Sequence, residues 1–120
     1  MSVEITDISG HTVTVRMSGL LAQPDLAAMQ RAVGEILDRQ GKTRLLILTE
    51  NFEGWQRGGD WGDVSFSAKH DDQIEKMAIV GEKKWEDLAI MFASKGLRPF
   101  PIEYFVPEAT DNARAWLAQS

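Results

Sequence analysis

The chain has 120 residues, 13 Lys+Arg against 18 Asp+Glu for a net charge of −5, and no cysteine. That length fits one domain, 1–120, with a core large enough to fold without covalent staples. The missing cysteine excludes disulfides and thiolate metal sites, and the acidic balance disfavours binding to a phosphate backbone, so no nucleic-acid partner is expected. The longest aliphatic run, residues 45–48, is far short of the ~20 residues a membrane span needs. The first residues, Met1-Ser2-Val3-Glu4-Ile5, lack the basic start and apolar stretch of a secretory signal. A cytoplasmic protein with no membrane span is the expectation.

Residues 3–8 and 12–17 alternate apolar and polar side chains and are rich in β-branched residues, which predicts two half-buried strands. Ser9-Gly10-His11 between them supplies a tight turn, so the chain should begin as an antiparallel hairpin. A helix follows. Pro24 suits its first turn, Asp25 suits its positive end, and Leu26, Met29, Val33, Ile36 and Leu37 form one apolar stripe up to a stop at Gly41. Leu45-Leu46-Ile47-Leu48 reads as a strand buried on both faces. Residues 50–62 read as irregular, because Gly54, Gly58, Gly59 and Gly62 break the periodicity, yet the stretch carries Phe52, Trp55 and Trp61. A short helix is expected from about Asp60, ending in the polar run Lys69-His70-Asp71-Asp72.

Residues 76–88 are the most informative stretch. A short apolar run, Met77-Ala78-Ile79-Val80, stops at Gly81, and a helical stripe of Trp85, Leu88, Ala89 and Phe92 follows at once. A buried parallel strand hands over to a covering helix in this way. Gly96, Pro99 and Pro101 hold the next connection out of helix. Residues 102–106 give a last strand, and Ala109, Ala113, Trp116 and Leu117 stripe a final helix from near Pro107. The order is ββαβαβαβα. It predicts an α/β fold with a mixed sheet of about five strands, an N-terminal hairpin and a mostly parallel remainder, with helices packed on it.

Several segments resemble the SpoIIAA-like (STAS/Sec14-like) small bacterial domains. They are Asn51-Phe52-Glu53-Gly54-Trp55, Ser67-Ala68-Lys69-His70, Ala78-Ile79-Val80-Gly81-Glu82-Lys83-Lys84-Trp85, Glu103-Tyr104-Phe105 and Ala113-Arg114-Ala115-Trp116-Leu117. The resemblance covers nearly all of the chain. It implies the fold just described and no catalytic activity. STAS antagonists are switched by phosphorylation of a serine just after the third strand. Here the region 48–55 has no serine, and Thr49 is the nearest hydroxyl. Sec14-type domains hold apolar molecules under a mobile helix, and the aromatic residues between 52 and 66 fit that role better.

No nucleophile–base set, nucleotide-binding loop or calcium loop occurs, so no enzyme, cofactor or metal is expected. His11 reads as a solvated turn residue. His70 reads either as a helix C-terminal histidine near free carbonyls or as a polar group at a pocket mouth. Trp116 reads as core and Trp85 as half-buried at a helix start. Trp55 and Trp61 either plug the core or line a pocket. Lys83 and Lys84 stand near a helix start that can attract an anion, with Glu82, Glu86 and Asp87 offsetting their field. The expected site is therefore Phe52, Trp55, Trp61, Phe66, His70, Lys83, Lys84 and Trp85. It would serve a non-enzymatic module binding a small apolar or amphipathic ligand under a mobile segment, residues 52–70. The alternative is a STAS-like regulatory domain in which the same segment docks a protein partner or a second copy of the chain.

Overall fold

A computed structural model describes residues 3–58, 65–93, 95–96 and 98–119. Two strands open the chain, β1 (Val3–Ser9) and β2 (Thr12–Leu21), and pair antiparallel around a turn in which Gly10 takes a left-handed φ of 57°. Helix α1 (Gln23–Gln40) has Pro24 in its first turn, and the amide of Gly41 closes it on the carbonyl of Leu37 at 2.8 Å. Strand β3 (Thr43–Trp55) follows, then helix α2 (Ser65–His70), a single 3-10 turn over Asp71–Gln73, and strand β4 (Ile74–Val80). A second 3-10 turn, Lys83–Trp85, leads into the short helix α3 (Glu86–Phe92). Strand β5 (Ile102–Phe105), a 3-10 turn at Pro107–Ala109 and helix α4 (Thr110–Ala118) complete the fold.

The five strands lie in the order β1-β2-β3-β4-β5, and every pair after the hairpin is parallel. Right-handed crossovers that always step to the next strand in one direction put their helices on one face of the sheet. The side chains agree with this geometry. Val13, Val15, Leu45, Ile47, Met77, Ile79 and Ile102 point to the face covered by α1, with Leu26, Met29, Val33, Ile36 and Leu37 packed against them. Alternate residues Leu46, Ala78 and Val80 point the other way, onto Ala113 and Leu117 of α4. The final helix follows the last strand with no further crossover to make and covers the face the others leave open. The parallel strands are thus apolar on both sides, as the runs 45–48 and 77–80 predict.

The structure differs from the sequence reading at three places that shape the site. Residues 50–55 are strand, where an irregular stretch is expected. The fourth strand ends at Val80 opposite Leu48, so the third continues along β2 alone, and its register slips twice, so that Ser18 faces Glu50, Gly19 faces Phe52 and Leu20 faces Gly54. Asn51 (φ 51°) and Gly54 (φ 105°) absorb the two bulges. The apolar stripe expected on α3 splits: Trp85 and Ala89 turn inward and Phe92 borders the cavity while 43% exposed, whereas Leu88 is 46% exposed and lines no part of it. The short helix expected from about Asp60 is described only from Ser65, and Trp61 lies outside the described residues.

Candidate functional site

Between the sheet and helices α1, α2 and α3 lies a partly open cavity of about 250 Å³. Its floor is the inner face of the sheet, with Val15, Leu45, Ile47, Met77 and Ile79 from the three central strands. Leu26, Met29 and Val33 of α1 form one wall, Phe66 of α2 another, and Ala89, Phe92 and Ala93 border it from the α3 side. Beyond Leu48 the third strand runs past the end of β4 at Val80. Aromatic rings gather around this extension of β3.

Three of those rings form a cluster. Phe52 meets Trp55 and Trp85 edge to face, with centroids at 5.1 and 5.3 Å, and the two indoles meet each other at 6.0 Å and 80°. Edge-to-face packing sets the positive ring edge against the negative face. Glycine at 54 permits this cluster, because a Cβ there would lie 3.3 Å from the Trp85 ring. Phe92 joins through Trp55 at 5.3 Å. The indole nitrogens of Trp55 and Trp85 are buried with no oxygen or nitrogen acceptor among the described residues.

The polar groups at the cavity are few. At the carboxyl ends of the strands the hydroxyl of Thr49 donates to the carbonyl of Val80, and that of Tyr104 donates to the carbonyl of Glu82, each at 2.7 Å. Gly81 sits between them: a Cβ there would fall under 3.0 Å from both hydroxyl oxygens. Burial, with the nearby carboxylates of Glu86 and Glu82, pushes the Tyr104 phenol up to about 12. At the opposite end Arg98 is tied to Asp71 by Nε at 3.0 Å and Nη2 at 2.5 Å, and its Nη1 donates to the carbonyl of Ala93 at 3.3 Å. Both side chains of this pair are largely buried, at 14% and 16% exposure. Gln30 of α1 is the remaining polar lining residue.

Of the residues singled out from the sequence, the structure brings Phe52, Trp55, Phe66 and Trp85 together around one cavity. Phe52 and Trp55 stand on a paired strand, so the part of the expected mobile segment that holds them is fixed to β2. Lys83 and Lys84 are exposed and line no part of the cavity. The first pairs with Glu86, and the second lies 5.7 Å from the Trp85 ring centroid. His70 ends α2, as the helix C-terminal reading expects, and it lines no part of this cavity. It is 6% exposed and packs under α1, where a Cβ on Gly34 would come within 2.8 Å of its Nε2. Its Nδ1 meets the side-chain oxygen of Gln73 at 2.7 Å, its ring lies 5.0 Å from that of Phe66, and Asp38 stands 3.8 Å away. Arg98 and Tyr104 escape sequence reasoning as site residues, and Thr49 and Gly81 are noted there only as the nearest hydroxyl and a strand end. The run Val80-Gly81 marks a strand end, but nothing in it tells which hydroxyls will converge there from β3 and β5.

The described residues contain no group of acidic or histidine side chains arranged to hold a metal, and no helix long and apolar enough to cross a membrane. An open mixed sheet with three crossover helices on one face and a closing helix on the other defines a STAS-like α/β domain, a class often involved in regulation. The SpoIIAA-like family model matches residues 12–118, and the chain belongs to that family. Among solved structures it is similar to an uncharacterized protein of the DUF3478 family, with a SpoIIAA-like fold, from Shewanella loihica PV-4. The two share 20% sequence identity over 98% of this chain and 94% of the other, with a TM-score of 0.75. No curated protein matches the chain.

Proposed function

We propose that the protein is a non-enzymatic binding module that takes a small, largely apolar molecule into the cavity beneath α1, α2 and α3. One observation carries this reading: a void of about 250 Å³ in the middle of the main core, walled by aliphatic and aromatic side chains with four polar residues at its margins. A dry apolar void of roughly 150 Å³ accepts benzene, so this one suits a ligand of about ten to twelve heavy atoms.

The basic pair Lys83 and Lys84 gives no support to an anionic head inside the cavity, which narrows the expected ligand to the apolar kind. Native mass spectrometry of protein purified without detergent tests the proposal. The expected result is a population heavier than the apo chain by one small molecule, lost on denaturation. A uniformly apo population that also takes up no naphthalene contradicts it.

A second reading rests on a different observation. Helix α3 has no buried residue, and Leu88, Met91 and Phe92 are exposed at 46%, 68% and 43%, an unusual apolar display for seven residues. In that reading α3 is the surface through which a regulatory domain meets a protein partner or a second copy of itself. Light scattering after size exclusion separates the two: a dimer abolished by Met91→Lys supports docking through α3, and a monomer at all concentrations removes the self-association version.

A further inference from the structure

We infer that the cavity selects an uncharged ligand carrying a hydrogen-bond donor, and that Thr49 and Tyr104 are the residues that read it. The inference rests on the ligand-binding reading above and specifies its chemistry. A hydroxyl has one proton and two lone pairs. Both hydroxyls here face backbone carbonyls, which can only accept, so the Thr49 proton is committed to Val80 and the Tyr104 proton to Glu82. What each oxygen has left is acceptor capacity. The two oxygens crowd together over Gly81, where they take the room a side chain would need, and both residues line the cavity. The cavity thus presents a pair of acceptors at its upper end.

The surroundings disfavour the alternatives. A carboxylate placed there would meet two lone-pair donors and the nearby charges of Glu82 and Glu86, the same charges that, with burial, hold the Tyr104 phenol in its neutral form. The charged donor in the lining is engaged, Arg98 by Asp71 and the carbonyl of Ala93, and Gln30 on α1 is a neutral amide that both donates and accepts. The indole N–H groups of Trp55 and Trp85 are wholly buried among rings and are not presented to the void. An acceptor-only ligand such as an ether or ester would leave its oxygen facing other acceptors, a desolvation loss with no return. A hydroxyl or N–H on a flat hydrocarbon skeleton fits both ends of the requirement.

Calorimetric titration of the full chain with four probes of one shape decides the matter. They are 2-naphthol (donor), 2-methoxynaphthalene (acceptor only), naphthalene (neither) and 2-naphthoate (anion). The expected order puts 2-naphthol on the order of five- to tenfold tighter than either neutral analogue, with naphthoate weakest. Thr49→Val and Tyr104→Phe should each reduce the naphthol preference while leaving naphthalene affinity within about twofold, which also reports that the cavity is intact. Equal affinity for naphthol and its methyl ether, tightest binding of naphthoate, or a naphthol preference that survives both substitutions overturns the inference while cavity binding stands. Failure of all four probes to bind overturns the cavity reading and this inference with it.

Discussion

Filling the cavity from the protein side separates a genuine void from a tight core by the sign of one measurement. Ala93 is buried in the main core and borders the cavity just after α3. Replacing it with leucine adds about 75 Å³ of side chain, which at ~24 cal/mol per Å³ of void removed returns about 1.8 kcal/mol to the empty protein. An unfolding entropy of ~2.1 cal/mol/K per residue amounts to about 250 cal/mol/K for this chain. The melting temperature of ligand-free Ala93→Leu should therefore rise by about 7 °C. Differential scanning calorimetry on protein stripped of bound molecules by unfolding and refolding reads this directly, and naphthalene affinity should fall because the site has shrunk. Overpacking of a filled core costs about 1–3 kcal/mol instead, a drop of roughly 4–12 °C. A lowered melting temperature with unchanged naphthalene binding would refute the reasoning.

Gly81→Ala should destabilise the protein by about 2–4 kcal/mol in urea denaturation, because its methyl group displaces both the Thr49 and the Tyr104 hydroxyl from their carbonyls. Asp71→Ala should cost about 3 kcal/mol by leaving Arg98 buried and unpaired, and Asp71→Leu with Arg98→Met should recover much of that loss; a double-mutant cycle measures the coupling. Tyr104 is the only tyrosine, so the rise of tyrosinate absorbance with pH reports it alone, with a midpoint near 12. Its neutral form is favoured by folding, so the contribution is intact below pH 10 and is lost as pH rises from 10 towards 12. A midpoint near 10 in the folded protein would show that Tyr104 is not shielded as described.

The regular elements were legible because each carries its own periodicity. The alternation in 3–8 and 12–17, the α1 stripe and the double-faced runs at 45–48 and 77–80 all correspond to observed elements. The extension of β3 to Trp55 was not legible, because Asn51 and Gly54 look like breakers until β2 is seen to pair across the bulges they create. The aromatic half of the site was visible as an excess of Phe and Trp where a loop is expected. Its polar half was hidden, since Thr49, Gly81 and Tyr104 come from three separate strand ends that only the parallel register brings side by side. The exposed side of α3 misled in the opposite direction. Its stripe has the spacing of a core helix, but a seven-residue helix reaching over a cavity can bury only the part that meets the rings below it.

The most direct test of the account is the set of tryptophan indole cross-peaks in a proton–nitrogen correlation spectrum recorded as naphthalene is added. Trp55 and Trp85 border the cavity, whereas Trp116 packs with Phe105 on the α4 side of the sheet. The assigned peaks of Trp55 and Trp85 should shift and saturate together while that of Trp116 stays in place. Peaks of Trp55 and Trp85 that remain still at saturating naphthalene, or that move no more than Trp116 does, would contradict a ligand site between the sheet and its three crossover helices.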